Sequence, residues 1–327
     1  MKKTTFKTTL ISSALLASSG AWAQSDGNKP TFFGEMGMGA LKVDSRDLDT
    51  WAFDLTAGFK GLYKANGLKV AYTFNADFTG PVNDIDPLVY TRGGDDDTIY
   101  IRNAKVVLPT QYGAFVFGPR SSSGQYGDLY GAVTDFEYNE LHARTGINRM
   151  FTQGDIINNL LAYASPTFAG WKLIVGSFTF NKYNDRDIDA MSYRALYSNG
   201  GFNFAFGQVL ISDDQAATGE EEERNAATAS YQWDHLSLMA TVEQNDVPDG
   251  TVNDFTTYAV GGRYRINDNW STALTYADKN HELEDLDNTA VIAQVRRHFG
   301  SQAYLFAETG QYDESPSNYA VGVNLKF

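Results

Sequence analysis

The side chains able to do chemistry in this chain are few and mostly of one kind. Four histidines occur, His142, His235, His281 and His298. A hydrolase needs one of them held by a carboxylate or amide beside a nucleophile or an activated water. None is followed by a recognisable Ser or Asp partner pattern, and G-x-S-x-G is absent. Without any cysteine there is no thiolate nucleophile, redox pair or thiolate metal site. The acidic runs at 95–97 and 220–223 lack the D-x-D-x-D-G spacing of a calcium loop. No catalytic residue, metal site or cofactor is assigned. What remains is fixed charge. Lys60, Lys69, Lys105, Arg120, Arg194, Arg263, Arg265 and Arg296 share one parity of alternating segments. The carboxylates Asp128, Asp135, Glu137 and Glu140 are interleaved with Tyr126, Tyr130, Phe136 and Tyr138 in 121–155. Charge so arranged can sort ions and dipoles.

The elements that must position these groups are strands. From residue 31 onward apolar and polar residues alternate in segments of roughly ten. The clearest is the last, where Tyr319, Val321, Val323, Leu325 and Phe327 alternate with Asn318, Ala320, Gly322, Asn324 and Lys326. Trp51, Phe53, Leu55, Ala57 and Phe59 oppose Asp54, Thr56, Gly58 and Lys60 in the same way. The pattern predicts sixteen strands, near 31–43, 51–63, 67–79, 98–108, 113–120, 156–165, 170–181 and 190–198. The other eight lie near 201–211, 225–234, 235–245, 256–266, 269–279, 288–299, 301–311 and 318–327. Connections alternate between short, Asn/Gly/Pro-containing turns and long acidic loops. That sorting, with an even strand count, is expected of an all-β, antiparallel up-and-down transmembrane barrel. A soluble sandwich has no reason to sort its loops by parity. Trp51, Trp171, Trp233 and Trp270 fall at strand ends, as do several tyrosines, which suits an aromatic girdle at the lipid headgroups.

Residues 1–23 read separately as a secretory signal peptide. Lys2 and Lys3 lead a short apolar stretch that closes on Ala21-Trp22-Ala23. Its removal takes three lysines and moves the formal net charge from −14 to −17. Such acidity excludes a nucleic-acid partner, which would need a basic face. Residues 24–327 then form one pore domain with no linker or internal repeat.

These segments resemble the general, sixteen-stranded trimeric porins of Gram-negative bacteria. The resemblance rests on the Gly-rich first strand FFGEMG at 32–37 and the strand–turn NNLLAYASPTFAG at 158–170. It rests also on FGPR at 117–120, where Pro119 departs from the family's usual residue, and on the terminal aromatic Phe327. It implies a water-filled channel in the outer membrane for small hydrophilic solutes and ions. The partners it implies are lipid and lipopolysaccharide, two further copies of the chain, and an insertion machinery that reads Phe327. In such barrels the third long loop, here 121–155, folds inward and narrows the pore. The basic group on strands two to five (Lys60, Lys69, Lys105 and Arg120) would then face an acidic loop across the constriction. Arg149 joins the wall where the loop returns, and Arg102, out of parity with Lys105, is assigned to a rim.

Several alternatives stay open at this level. Any single wall cation can be merely solvated. The loop aromatics can stack on sugar rings, making a channel selective for sugars, oligosaccharides or organic anions, or they can pack the loop onto the wall. The acidic outer loops are solvated caps or divalent-cation bridges to lipopolysaccharide. Cation against anion preference is undecided, because wall arginines oppose the overall charge.

Overall fold

A computed structural model describes residues 29–83, 99–122, 124–131, 133–140, 150–151, 156–179, 188–213, 221–247, 254–282 and 286–327. Residues 1–23, expected to be a signal peptide, Arg149 and the acidic run 95–97 lie outside these residues. The first eight strands are β1 (Thr31–Val43), β2 (Leu48–Ala65), β3 (Leu68–Asp77), β4 (Tyr100–Thr110), β5 (Gly113–Ser122), β6 (Ile156–Ala164), β7 (Trp171–Phe178) and β8 (Ala190–Asn199). Then follow β9 (Phe202–Ile211), β10 (Glu222–Gln232), β11 (Leu236–Asp246), β12 (Phe255–Asn267), β13 (Trp270–His281), β14 (Asn288–His298), β15 (Ala303–Tyr312) and β16 (Asn318–Lys326). Each pairs antiparallel with its chain neighbours, and β16 pairs with β1 to close the barrel. Two short helices, α1 (Thr79–Asn83) and α2 (Gln125–Leu129), interrupt the long connections.

The turns at one end are tight because their residues reach left-handed angles. Asn66 and Gly67 stand at φ 49° and 83°, and Ala169 and Gly170 at 48° and 87°. Two positive φ values in succession match the twist of a two-residue hairpin. Closure uses the last residue: the Phe327 and Gly34 backbones exchange hydrogen bonds of 3.1 and 2.9 Å. A Cβ on Gly34 would come within 2.4 Å of the Phe327 ring, so the seam demands glycine there.

Alternation gives the wall two unlike faces. One is apolar and exposed, with Phe74, Leu161, Leu173, Leu274, Val291, Leu305 and Val321. A barrel of sixteen strands is wide enough to leave an aqueous channel behind the other face. Three bulges in the β1–β5 sector break the simple parity. Gly37 pairs with Asp54 and Met38 with Ala52, which leaves Phe53 as the extra residue. Beyond it the faces exchange. Phe53 packs on Phe306 at 5.1 Å and Trp51 on Tyr138 at 6.3 Å. The expectation that Trp51 and Phe53 belong to the outward row, with Trp51 in the girdle, is therefore corrected. The second bulge isolates Arg102, since Asn75 pairs with Asn103 and Ala76 with Ile101. The third sets Lys105 opposite both Gly118 and Pro119, because Ala104 pairs with Arg120 and Val106 with Phe117. Beyond β3, the free edge of β2 is capped by α1. Asn83 Oδ1 accepts from the Ala52 amide at 2.7 Å, and Thr79 Oγ1 from the Leu55 amide at 2.9 Å.

Candidate functional site: a charged loop against the barrel wall

Residues 124–131, 133–140 and 150–151 make their contacts on the wall face opposite the apolar band. Leu129, Tyr130, Val133, Phe136, Met150 and Phe151 pack on small inward residues of β9 to β14, among them Ala205, Ala226, Ala259 and Ala273. Alanines there let the segment lie close to the wall. Leu129 and Met150 hand their carbonyls to Thr241 and Thr257 hydroxyls at 3.1 and 2.5 Å. The Tyr130 hydroxyl donates to Glu243, which is fully buried.

Three acidic positions of the segment find arginines. Asp128, at the end of α2, meets Arg194 of β8 at 2.7 Å, with both side chains almost wholly buried. Asp135 meets Arg263 of β12 at 2.7 Å and Arg296 of β14 at 3.3 Å. Its backbone carbonyl accepts from the same two guanidiniums at 2.9 and 3.0 Å. Glu137 accepts from Arg296 at 3.0 Å, the Tyr304 hydroxyl at 2.5 Å and Asn324 at 3.0 Å. Glu308 of β15 works in the opposite sense, as a wall acid gripping the loop. It accepts the amides of Glu137, Tyr138 and Asn139 at 2.8, 3.2 and 2.8 Å, and the Asn139 and Gln294 side chains at 2.7 Å each. Asn139 also bonds Asn318 and accepts from Tyr312, at 2.9 and 2.8 Å.

The same neighbours drive the two loop carboxyls apart. Burial pushes Asp135 upward, but Arg263 and Arg296 outweigh it and hold the carboxyl below its usual range. Burial dominates at Glu137 and raises it to about 7, against Arg296 and the Tyr304 hydrogen bond; Asp135 and Glu308 push the same way.

The remaining cations are distributed unequally. Lys60 and Lys105 flank Thr73 in one row across β2, β3 and β4, about 10 Å apart at the usual strand spacing. The Lys60 ammonium stands 5.1 Å from the Phe33 ring, and Lys105 is buried. Arg120 adjoins that row, stacked on Tyr100 at 3.9 Å and donating to Asn158 at 3.2 Å. Lys69 pairs with Lys64 beside the Asn66–Gly67 turn, about 13 Å along the strand from Thr73, and so leaves the ladder. Arg265 bonds the Asp234 carbonyl of the β10–β11 turn at 2.9 Å, which places it at the rim. Arg102 moves the other way: the bulge aims it at Asp77, 2.8 Å, and Asp54, 3.7 Å. Asp77 ends β3, so Arg102 lies near the opposite end of the wall from Lys69, turned by the bulge onto these two acids. Glu140 is half-buried at the end of the described loop segment. The backbone of Tyr126 lies in α2, and its side chain is outside the described set.

Glu308, Glu243, Tyr304, Asn318 and Asn324 escape a sequence reading. Their inward parity is legible, but every lumen strand carries such polar residues. Only the loop's path singles them out.

A family model described as Gram-negative porin matches residues 9–317. Among curated proteins none matches. Of the solved structures, the OmpF porin of Salmonella typhi, in complex with daunomycin, superposes with TM-score 0.72 at 16% identity, covering 92% of this chain and 98% of that one. An anion-selective porin from Comamonas acidovorans gives 0.69 at 16% identity, covering 92% and 100%. The trimer form of OmpT from Vibrio cholerae gives 0.66 at 16%, covering 92% and 100%.

Proposed function

The chain belongs to the Gram-negative porin family, a passive diffusion channel across the outer membrane, and from that premise we propose how its pore discriminates. The loop 121–155 makes the narrowing; its described part is held to β8–β16 and, through Tyr138, to Trp51 and Phe53 of β2, and solutes pass between it and the wall that carries Lys60 and Arg120. One observation carries this reading: each of Asp128, Asp135 and Glu137 is closed by a wall arginine. Lys60 and Arg120 meet only aromatic rings and an amide among the described residues. The loop acids therefore fasten the loop and lose most of their pull on passing ions, whereas the opposite wall keeps positive charge. The pore then prefers small anions weakly, despite an acidic chain, because charge at the narrowest section counts most.

Reversal potentials across a potassium chloride gradient test this. The wild-type value should lie on the anion side, and Lys60→Glu with Arg120→Gln should move it toward cations. A cation-side wild-type value, or no movement in the double variant, overturns the reading. The proposal extends to the assembly: three copies associate, residues 1–23 are removed on export, and Phe327 is presented to the insertion machinery. Lipid and lipopolysaccharide cover the outer face.

A further inference from the structure

Arg297 carries a charge on the face of the barrel where charge is least expected. It follows Arg296, which points at the loop, so alternation sends Arg297 outward with Val291 and Val295. In register it stands between Trp270 of β13 and Leu305 of β15, both exposed. The short 299–302 turn follows at once, which sets Arg297 at the periplasmic end of the apolar band. Tyr264, Ile266 and Phe299 are exposed nearby on the same side.

The surroundings of this guanidinium are aromatic and apolar. Its Cζ lies 5.7 Å from the Trp270 ring and 5.1 Å from the Phe299 ring. It forms no ion pair or hydrogen bond with any described residue. An arginine on a lipid-facing strand is disfavoured by about 2–4 kcal/mol at the bilayer midplane but only about 0–1 kcal/mol near the interface. Its five N–H donors still need acceptors, and neither rings nor aliphatic neighbours supply one. The planar fork fits two oxygens of one phosphate, and the flanking rings hold it in a single place.

We propose that Arg297, clamped by Trp270 and Phe299, binds the phosphate headgroup of an anionic glycerophospholipid in the periplasmic leaflet. The acyl chains of that lipid lie along Leu305 beside it and along Val295 and Leu274 above it on the same outward face. The two rings settle the headgroup at a fixed depth, and the barrel gains a lipid anchor on β13–β15.

The test uses the purified, detergent-held full barrel with equimolar phosphatidylglycerol and phosphatidylcholine, counted on the intact protein by native mass spectrometry. Wild type should retain phosphatidylglycerol over phosphatidylcholine. Loss of a charge-assisted contact in Arg297→Gln should lower that retention about tenfold. Arg297→Lys should fall between, because it keeps the charge and loses the fork. Trp270→Leu, with the arginine intact, supplies a second variant that should also weaken retention. Heat-dependent gel mobility verifies that each barrel is closed. Equal retention of the two lipids by wild type overturns the proposal, as does unchanged retention in both Arg297→Gln and Trp270→Leu. Displacement by inorganic phosphate alone would assign the site to soluble anions, and a lipid-independent change in copy number would assign it to contact between copies. Either result also removes the lipid.

Discussion

Replacing Glu308 with glutamine should unlatch the loop while leaving the barrel intact. The carboxylate is 4% exposed and accepts five hydrogen bonds. Three of them reach Oε1 and two reach Oε2. Glutamine keeps the shape but turns one oxygen into a donor, and the less damaging orientation puts nitrogen at the Oε2 position. The Glu137 amide and the Gln294 side chain, 2.8 and 2.7 Å away, then face a donor. Each buried donor without an acceptor costs about 1–3 kcal/mol. Water from the lumen replaces part of this, leaving a local loss of about 2–4 kcal/mol. At about 1.4 kcal/mol per factor of ten, amide exchange across 137–139 should quicken about 30- to 700-fold. Hydrogen–deuterium exchange by mass spectrometry reads it, with β13 and β14 peptides as internal controls. Exchange within threefold of wild type at 137–139, in a barrel that stays closed, would refute the latch.

Three further outcomes follow from the same network. Asp135→Asn removes the shared partner of Arg263 and Arg296, so the reversal potential in a salt gradient should move further to the anion side. Arg194→Ala removes the ion-pair partner that meets the Asp128 carboxylate at 2.7 Å in a buried site. Breaking such a pair costs about 3–5 kcal/mol, so protease cleavage within 121–155 should quicken with no change in barrel closure. Glu137, raised to about 7 from 4.5, holds a proton in the folded loop that the unfolded chain releases. Its contribution to loop docking is thus fully present below about pH 4.5 and lost as pH rises through 7. Between pH 8 and 6 the proton leaves Arg263 and Arg296 in excess of their acids. Anion preference should rise over that interval, and Glu137→Gln should abolish the change.

Strand count, closure and the short-turn end were legible because they depend on periodicity and turn chemistry, which are local. Asn66-Gly67 names its own hairpin, and Phe327 names its own outward face. Trp51 and Phe53 were misread for a physical reason. A bulge adds one residue to a strand and exchanges the faces beyond it, and no residue type in those segments announces the insertion. Gly118 and Pro119 show the same limit on β5, where the two share Lys105 as their partner.

The division at the pore follows the same logic. Alternation by itself determines that Arg194, Arg263 and Arg296 point inward and that 121–155 is rich in acid and aromatics. Which cation meets which acid depends on where a loop outside the ladder comes to rest. The small residues of β9 to β13 decide that by letting Leu129, Tyr130 and Val133 approach the wall. Inward parity is a property of a strand, but pairing across the lumen is a property of the closed barrel. The tertiary structure therefore assigned Asp135 to Arg263 and Arg296, and Glu308 to the loop amides, where sequence alone offered inward-facing residues without partners.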